Sequence, residues 1–197
     1  MRKPADTLSP IHTLLAERWS PRAFDPTPLS AEDVASVLEA ARWAPSSMNE
    51  QPWSFLVATI DDAEQHAAMV ATLVPPNQVW ARSAPLLVIT VAHERLSRNG
   101  EPNRHAWHDV GMATSMMLIE AMARGLYGHA MGGFYPDQIR STYGVPEGFS
   151  PVAAVAIGRA GDPDALPEPY RTREAAPRAR KEPSSFVFTG AWGKARG

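Results

Sequence analysis

Cysteine is absent from all 197 residues, which excludes disulfide frameworks, cysteine-ligated zinc, iron–sulfur clusters and cysteine nucleophiles. No apolar run approaches the roughly 18 residues that a membrane-spanning helix needs. The longest, Ala84 to Ala92, is the size of a strand. A strong charge of either sign is missing too: 19 Lys and Arg face 21 Asp and Glu, a net charge of −2. That balance argues against a protein whose whole surface binds nucleic acid or membrane. The G-x-G-x-x-G signature does not occur, so a Rossmann dinucleotide fold has no support. Arg2 and Lys3 precede no apolar stretch, so no secretory signal is expected and the expected location is the cytoplasm.

What is present describes one globular domain over residues 1–197. Hydrophobic residues make up 44% of the chain and charged residues 20%, a composition that supports a packed core. Proline is plentiful, with 19 residues dispersed as punctuation between segments. Charge is uneven: from Glu168 onward seven Arg or Lys stand against three Glu, a local +4 in an otherwise acidic chain. This last stretch reads as a Pro-rich extended arm.

Local patterns predict an order of elements. Ser9-Pro10 and the spacing of Ile11, Leu14, Leu15 and Arg18 predict a short helix over 10–18. Ser30 and Asp33 form a capping-box pattern, Leu29 can staple against Val34, and the helix they open must stop before Pro45. Trp53 to Thr59 reads as a strand and Asp61 to Leu73 as a helix broken by Pro75-Pro76-Asn77. Pro85 to Ala92 is apolar on both faces, as a buried central strand would be. Trp107 to Arg124 is a helix apolar on nearly all sides, with Gly125 at its C-cap, and belongs in the core or at a subunit interface. A short strand over Tyr127 to Met131, a helix over Pro136 to Tyr143 and a buried strand over Pro151 to Ile157 complete an α+β layered domain.

Three segments are polar in ways that packing does not require. Arg18-Trp19-Ser20-Pro21-Arg22 sets two guanidiniums around a hydroxyl, a donor set suited to phosphate oxygens. Its ordinary reading is a solvated helix terminus. Pro45-Ser46-Ser47-Met48-Asn49-Glu50-Gln51-Pro52-Trp53 is a rigidified loop of hydroxyls and amides, able to meet the edge of a heterocycle or merely to form a turn. Pro177-Arg178-Ala179-Arg180-Lys181 is either a solvated arm or a set of anion ligands. His105-Ala106-Trp107-His108-Asp109 has the composition of a metal site but lacks the usual i, i+4 histidine spacing and a companion motif, so no metal is expected.

Taken together, these three segments resemble the nitroreductase family of flavin enzymes, in order and in rough spacing. The Pro-Ser-Ser-x-Asn loop is the most specific element. The long helix from Asp109-Val110-Gly111, the Met131-Gly132-Gly133-Phe134 segment and the strand ending in Ala156-Ile157-Gly158 also fit. The resemblance implies a central, mainly antiparallel sheet flanked by helices, in an intertwined homodimer with a C-terminal arm and FMN at the interface. It implies that Arg18, Ser20, Arg22, Arg178 and Arg180 hold the phosphate and ribityl end, with Trp19 adding a backbone contact. Pro45, Ser46, Ser47 and Asn49 would reach the flavin from the partner chain, and Met131, Gly132 and Gly133 would lie along the ring edge.

Many relatives carry Glu where this chain has Gly132, and both Asn77 and Arg82 are candidates for a further ring contact. The implied activity is ping-pong transfer of hydride from NADH or NADPH, through the flavin, to a nitroaromatic, quinone or similar acceptor. The cofactor carries the chemistry and no side chain acts as acid or base. Two alternatives share the fold: a flavin enzyme for reductive dehalogenation or flavin fragmentation, and a non-catalytic FMN-binding or storage protein. Neither a nucleic-acid nor a membrane partner is implied.

Overall fold

The structure, a computed structural model, describes residues 2–196. In chain order the elements are α1 (Thr13–Glu17), α2 (Ala31–Arg42), β1 (Trp53–Thr59), α3 (Ala63–Ala71), α4 (Pro75–Ala81), β2 (Leu86–His93), α5 (Ala106–Ala123), β3 (Tyr127–Met131), α6 (Pro136–Tyr143), β4 (Phe149–Gly158) and α7 (Tyr170–Ala175). The strands form one sheet in the order β1-β2-β4-β3, and every neighbouring pair is antiparallel.

The two central strands explain the layering. With a side-chain period of two, β2 sends Leu86 and Val88 to one face and Leu87, Ile89 and Val91 to the other. β4 does the same with Val155 and Ile157 against Ala154 and Ala156. Both faces are apolar, so both must be covered. α2 and α5 cover the first through Val37, Ala41, Ala113, Met117 and Ala121. α3, α4 and α6 cover the second through Met69, Trp80, Ala81 and Ile139. The register shifts between Thr90 and Val91, opposite Pro151. There Thr90 Oγ1 accepts the Ala153 N–H at 3.1 Å, and β3, which pairs only with residues 154–158, does not reach. A proline is tolerated at such an irregularity because no regular ladder bond is asked of it.

The end signals act as expected at two helices. Ser30 Oγ accepts the Asp33 N–H at 3.0 Å and donates to the Asp33 carboxylate at 2.8 Å, opening α2. Gly125, at φ 71, lets the chain turn so that Leu126 N–H reaches the Ala121 carbonyl at 2.8 Å and closes α5. Elsewhere the structure departs from the sequence reading. α1 is shorter, starting at Thr13 with His12 as its cap in place of Ser9. Pro75 and Pro76 begin a helix as well as ending one, because the first turn asks for no backbone N–H donor. The arm is not extended throughout, since it contains α7.

α5 buries one side in the core and leaves Trp107 and Met116 exposed on the other. No helix among the described residues is long and apolar enough to cross a membrane. Beyond β4 the chain doubles against the segment that follows α1. Phe24 bridges Ala160, the Asp25 N–H reaches the Arg159 carbonyl at 3.0 Å, and the Gly161 N–H reaches the Ala23 carbonyl at 2.8 Å. A Cβ at Gly161 would lie 2.6 Å from the Phe24 carbonyl carbon, which is backbone and cannot swing aside. Gly161→Ala is therefore expected to destabilise the protein by about 1–3 kcal/mol, read as a lower urea midpoint with an unchanged slope.

Candidate functional site

β3 is an edge strand, and the chain leaving α1 runs along it. Arg18 caps α1 in an extended conformation, and Ser20-Pro21 keeps the chain extended. The Trp19 ring packs edge-on against Tyr127 at 5.9 Å, and His129 Nδ1 donates to the Pro21 carbonyl at 2.9 Å. These contacts hold the Arg18–Arg22 segment against the sheet and turn its polar side outward.

That side forms one wall of a cavity of about 240 Å³. Arg18, Ser20 and Arg22 meet Arg173, Arg178 and Arg180 of the arm there, with Lys3 from the N-terminal segment. Arg18 Nη1 donates to Ser20 Oγ at 3.2 Å. Arg178 Nη1 donates to the carbonyls of Lys3 at 2.8 Å and Ala16 at 2.7 Å, which ties the arm to the end of α1. The single acid on the wall, Glu174, is buried and bound to backbone N–H groups of Arg22 and Ala23. Burial lowers the Arg18 pKa from its ordinary value, and the Arg178 and Arg180 guanidiniums lower it further. Burial and Arg180 act the same way on Arg178. Guanidiniums that are partly buried and lie beside further cations form a site whose charge an anion would relieve. Trp19 Nε1, in the same wall, is buried without an acceptor.

The loop from Pro45 to Trp53 lies elsewhere. It makes a single 3₁₀ turn over Ser47–Asn49, with Met48, Asn49 and Gln51 in the left-handed region at φ 57, 56 and 51. Three such residues lacking glycine's freedom must be held in place from outside. Asp109, buried in the first turn of α5, accepts the Ser47 N–H at 3.0 Å, and Ser46 Oγ accepts the Gln51 N–H at 3.0 Å. Beside the loop, Pro45, Met112 and Met116 line an apolar recess of about 420 Å³ on α5. Among the described residues no hydrogen bond or ion pair joins this loop to the cationic cavity.

Met131, Gly132 and Gly133 follow at the end of β3. The Met131 side chain belongs to the core. The Gly133 carbonyl accepts the Val74 N–H at 3.1 Å and Asn77 Nδ2 at 3.0 Å. A Cβ on Gly133 would fall 2.7 Å from Asn77 Nδ2, whereas one on Gly132 would meet nothing within 4 Å. Gly133 thus permits a close approach and Gly132 leaves an open surface. Asn77 stands next to this pair, while Arg82 Nε donates to the Val79 carbonyl of its own helix at 3.1 Å.

The sequence-predicted residues fall into three places: the cationic cavity, the strained loop and the end of β3. Lys3, Arg173 and Glu174 join the first, and Asp109 anchors the second, although none was singled out for such a role. Asp109 was legible only as a carboxylate at a helix start. Lys3 and Glu174 act across more than 150 residues of chain, where no local pattern could show them.

A family model described as Nitroreductase family matches residues 15–159. The chain belongs to the nitroreductase family. Among relatives, it is 34% identical over 133 residues to an uncharacterised 15.4 kDa protein of Mycolicibacterium smegmatis, covering 68% of this chain and 88% of the other. It is 44% identical over 57 residues to the major NAD(P)H-flavin oxidoreductase of Aliivibrio fischeri, covering 28% of this chain and 26% of that enzyme. A solved structure of an oxidoreductase containing FMN superposes with a TM-score of 0.89 at 34% identity, covering 95% of each chain. The antiparallel sheet flanked by helices is the fold of this family.

His129 links the family's edge strand to a pH effect. Its pKa is lowered to about 4, first by burial and then by Arg22 and Arg18, against the opposing bond to Pro21. In an unfolded chain a histidine titrates near about 6.5, so below that pH the unfolded state gains a proton that the folded state refuses. Stability should be fully present above about pH 6.5 and fall, by at most about 3 kcal/mol, as pH drops toward 4. Denaturation midpoints across this range should flatten in His129→Gln.

Proposed function

We propose that this protein is an FMN-dependent oxidoreductase that passes hydride from NADH or NADPH to a nitroaromatic, quinone or similar acceptor in ping-pong fashion. The observation that carries the reading is the cationic cavity: six basic side chains converge on it, and its one acid is already engaged. A phosphate dianion fits such a donor set, with Arg guanidiniums and the Ser20 hydroxyl as charge-assisted or neutral donors. Bound there, the flavin would supply two-electron chemistry between a nicotinamide and a second substrate.

The rest of this chain's work is positional. Arg18, Ser20 and Arg22 would hold the phosphate from one side, and Arg178 and Arg180 from the other, with Trp19 contributing backbone. The open surface at Gly132 and the backbone of Met131 and Gly133 would lie along the ring edge, free of side chains that could obstruct it. Pro45, Ser46, Ser47 and Asn49 would reach a flavin held mainly by the partner in a homodimer. The separation of their loop from the cationic cavity within one protomer, and the exposed apolar side of α5 beside that loop, support this arrangement. No side chain is assigned a proton-transfer role.

The visible spectrum of the purified protein, before and after FMN and then with anaerobic NADH or NADPH, tests the reading. A bound-flavin spectrum that bleaches promptly is expected; bound FMN that resists bleaching would favour a storage protein. Arg18→Ala should cost about 2 kcal/mol of FMN affinity, a loss of roughly thirtyfold, with the oligomeric state unchanged by light scattering.

A further inference from the structure

The carboxylate of Glu174 is the most deeply placed charge in the arm: its side chain is 0% exposed. A carboxylate is acceptor-only, so burying it requires donors. They come from the opposite wall of the cavity. The Arg22 N–H donates to both carboxylate oxygens at 3.0 Å, the Ala23 N–H donates at 3.2 Å, and the Arg22 guanidinium stands 4.0 Å away. The main-chain side of the same residue is held as well, because Lys3 Nζ donates to the Glu174 carbonyl at 2.6 Å and to that of Ala176.

These bonds fix two backbones relative to each other. On one side they hold Arg22, two residues beyond Ser20. On the other they hold α7, which carries Arg173 and leads through Pro177 to Arg178 and Arg180. Both walls carry positive charge, and the pKa values of Arg18 and Arg178 are lowered first by burial and then by their cationic neighbours. Repulsion would drive the walls apart unless a group not subject to that repulsion held them, and the Glu174 carboxylate is such a group.

We infer that Glu174 is a positioning residue for the cavity, latching α7 to the Arg18–Arg22 segment so that guanidiniums from both walls face a single phosphate. The inference rests on the reading of the cavity as a phosphate site, and it assigns Glu174 no contact with the flavin.

Riboflavin, which lacks the phosphate, separates the possibilities. Dissociation constants of FMN and riboflavin are measured by fluorescence quenching for the full-length wild-type protein, Arg18→Ala and Glu174→Gln. The Gln amide would present a donor to the Arg22 N–H, so the latch loses at least one of its bonds. The wild type should prefer FMN, and Glu174→Gln should cut that preference about tenfold by weakening FMN alone, at an unchanged riboflavin affinity. Equal weakening of both flavins, or no change in either, would overturn the latch. If Arg18→Ala lowers the preference and Glu174→Gln does not, the latch alone fails. If neither does, the phosphate reading fails and takes the latch with it. Should Glu174→Gln not fold, Glu174→Asp keeps the charge but withdraws it by one methylene. It is expected to reduce the FMN preference about threefold, and an unchanged preference would overturn the inference.

Discussion

The pairing of β2 with β4 is the constraint on which the rest of the molecule depends. Each of these strands is apolar on both faces, so the sheet must be sandwiched between two helical layers, and β1 and β3 are left as its edges. An edge strand has unpaired backbone groups that natural proteins cover or put to use. Here the edge of β3 receives the segment after α1, through the Pro21 carbonyl on His129 and Trp19 on Tyr127. The arm then closes over that segment. A sheet whose centre is built only to exclude water thereby determines where the polar groups of the chain collect.

The electrostatics of the cavity run against ordinary folding economy. Exposed like charges would normally splay into solvent, where separation and salt weaken their repulsion. Arg18 and Arg178 are instead partly desolvated and kept in company. The opposing forces are backbone bonds: Arg178 on the Lys3 and Ala16 carbonyls, Lys3 on the end of α7, and Glu174 on the Arg22 and Ala23 N–H groups. The strained turn at Met48 and Asn49 follows similar logic, with an unfavourable local conformation held by the buried Asp109 carboxylate together with the Ser46 hydroxyl. In both places a buried carboxylate accepting from the main chain helps to maintain a geometry that the local sequence would not choose.

Much of this was legible in the residues. The capping pair Ser30 and Asp33, the turn at Gly125 and the two-faced strand from Leu86 are local patterns with local causes, and each formed where its pattern stood. The basic clusters are also local on each side, because Arg18 with Arg22 and Arg178 with Arg180 are close neighbours in sequence. What could not be read was what joins them. Glu174 looks no different in sequence from Glu168, which forms exposed bonds to Arg171 and Thr172. Its burial is a tertiary outcome. α4 was missed for the converse reason: proline marks both the end of one helix and the start of the next, and only packing of Trp80 and Ala81 into the core decides that a second helix follows.

The cavity wall is assembled from residue 3, residues 18–22 and residues 173–180, which lie before and after all four strands in chain order. A ribosome delivers these parts in that order, with nearly the whole sheet made between the first and the last. The sheet and its helical layers can form before Arg178 and Arg180 have been synthesised, since neither contributes to the core. The cationic wall is therefore completed only after all four strands have been made, on a scaffold that can already exist. The gathering of the full set of guanidiniums is a late addition to that scaffold, and the folded core does not have to wait for it.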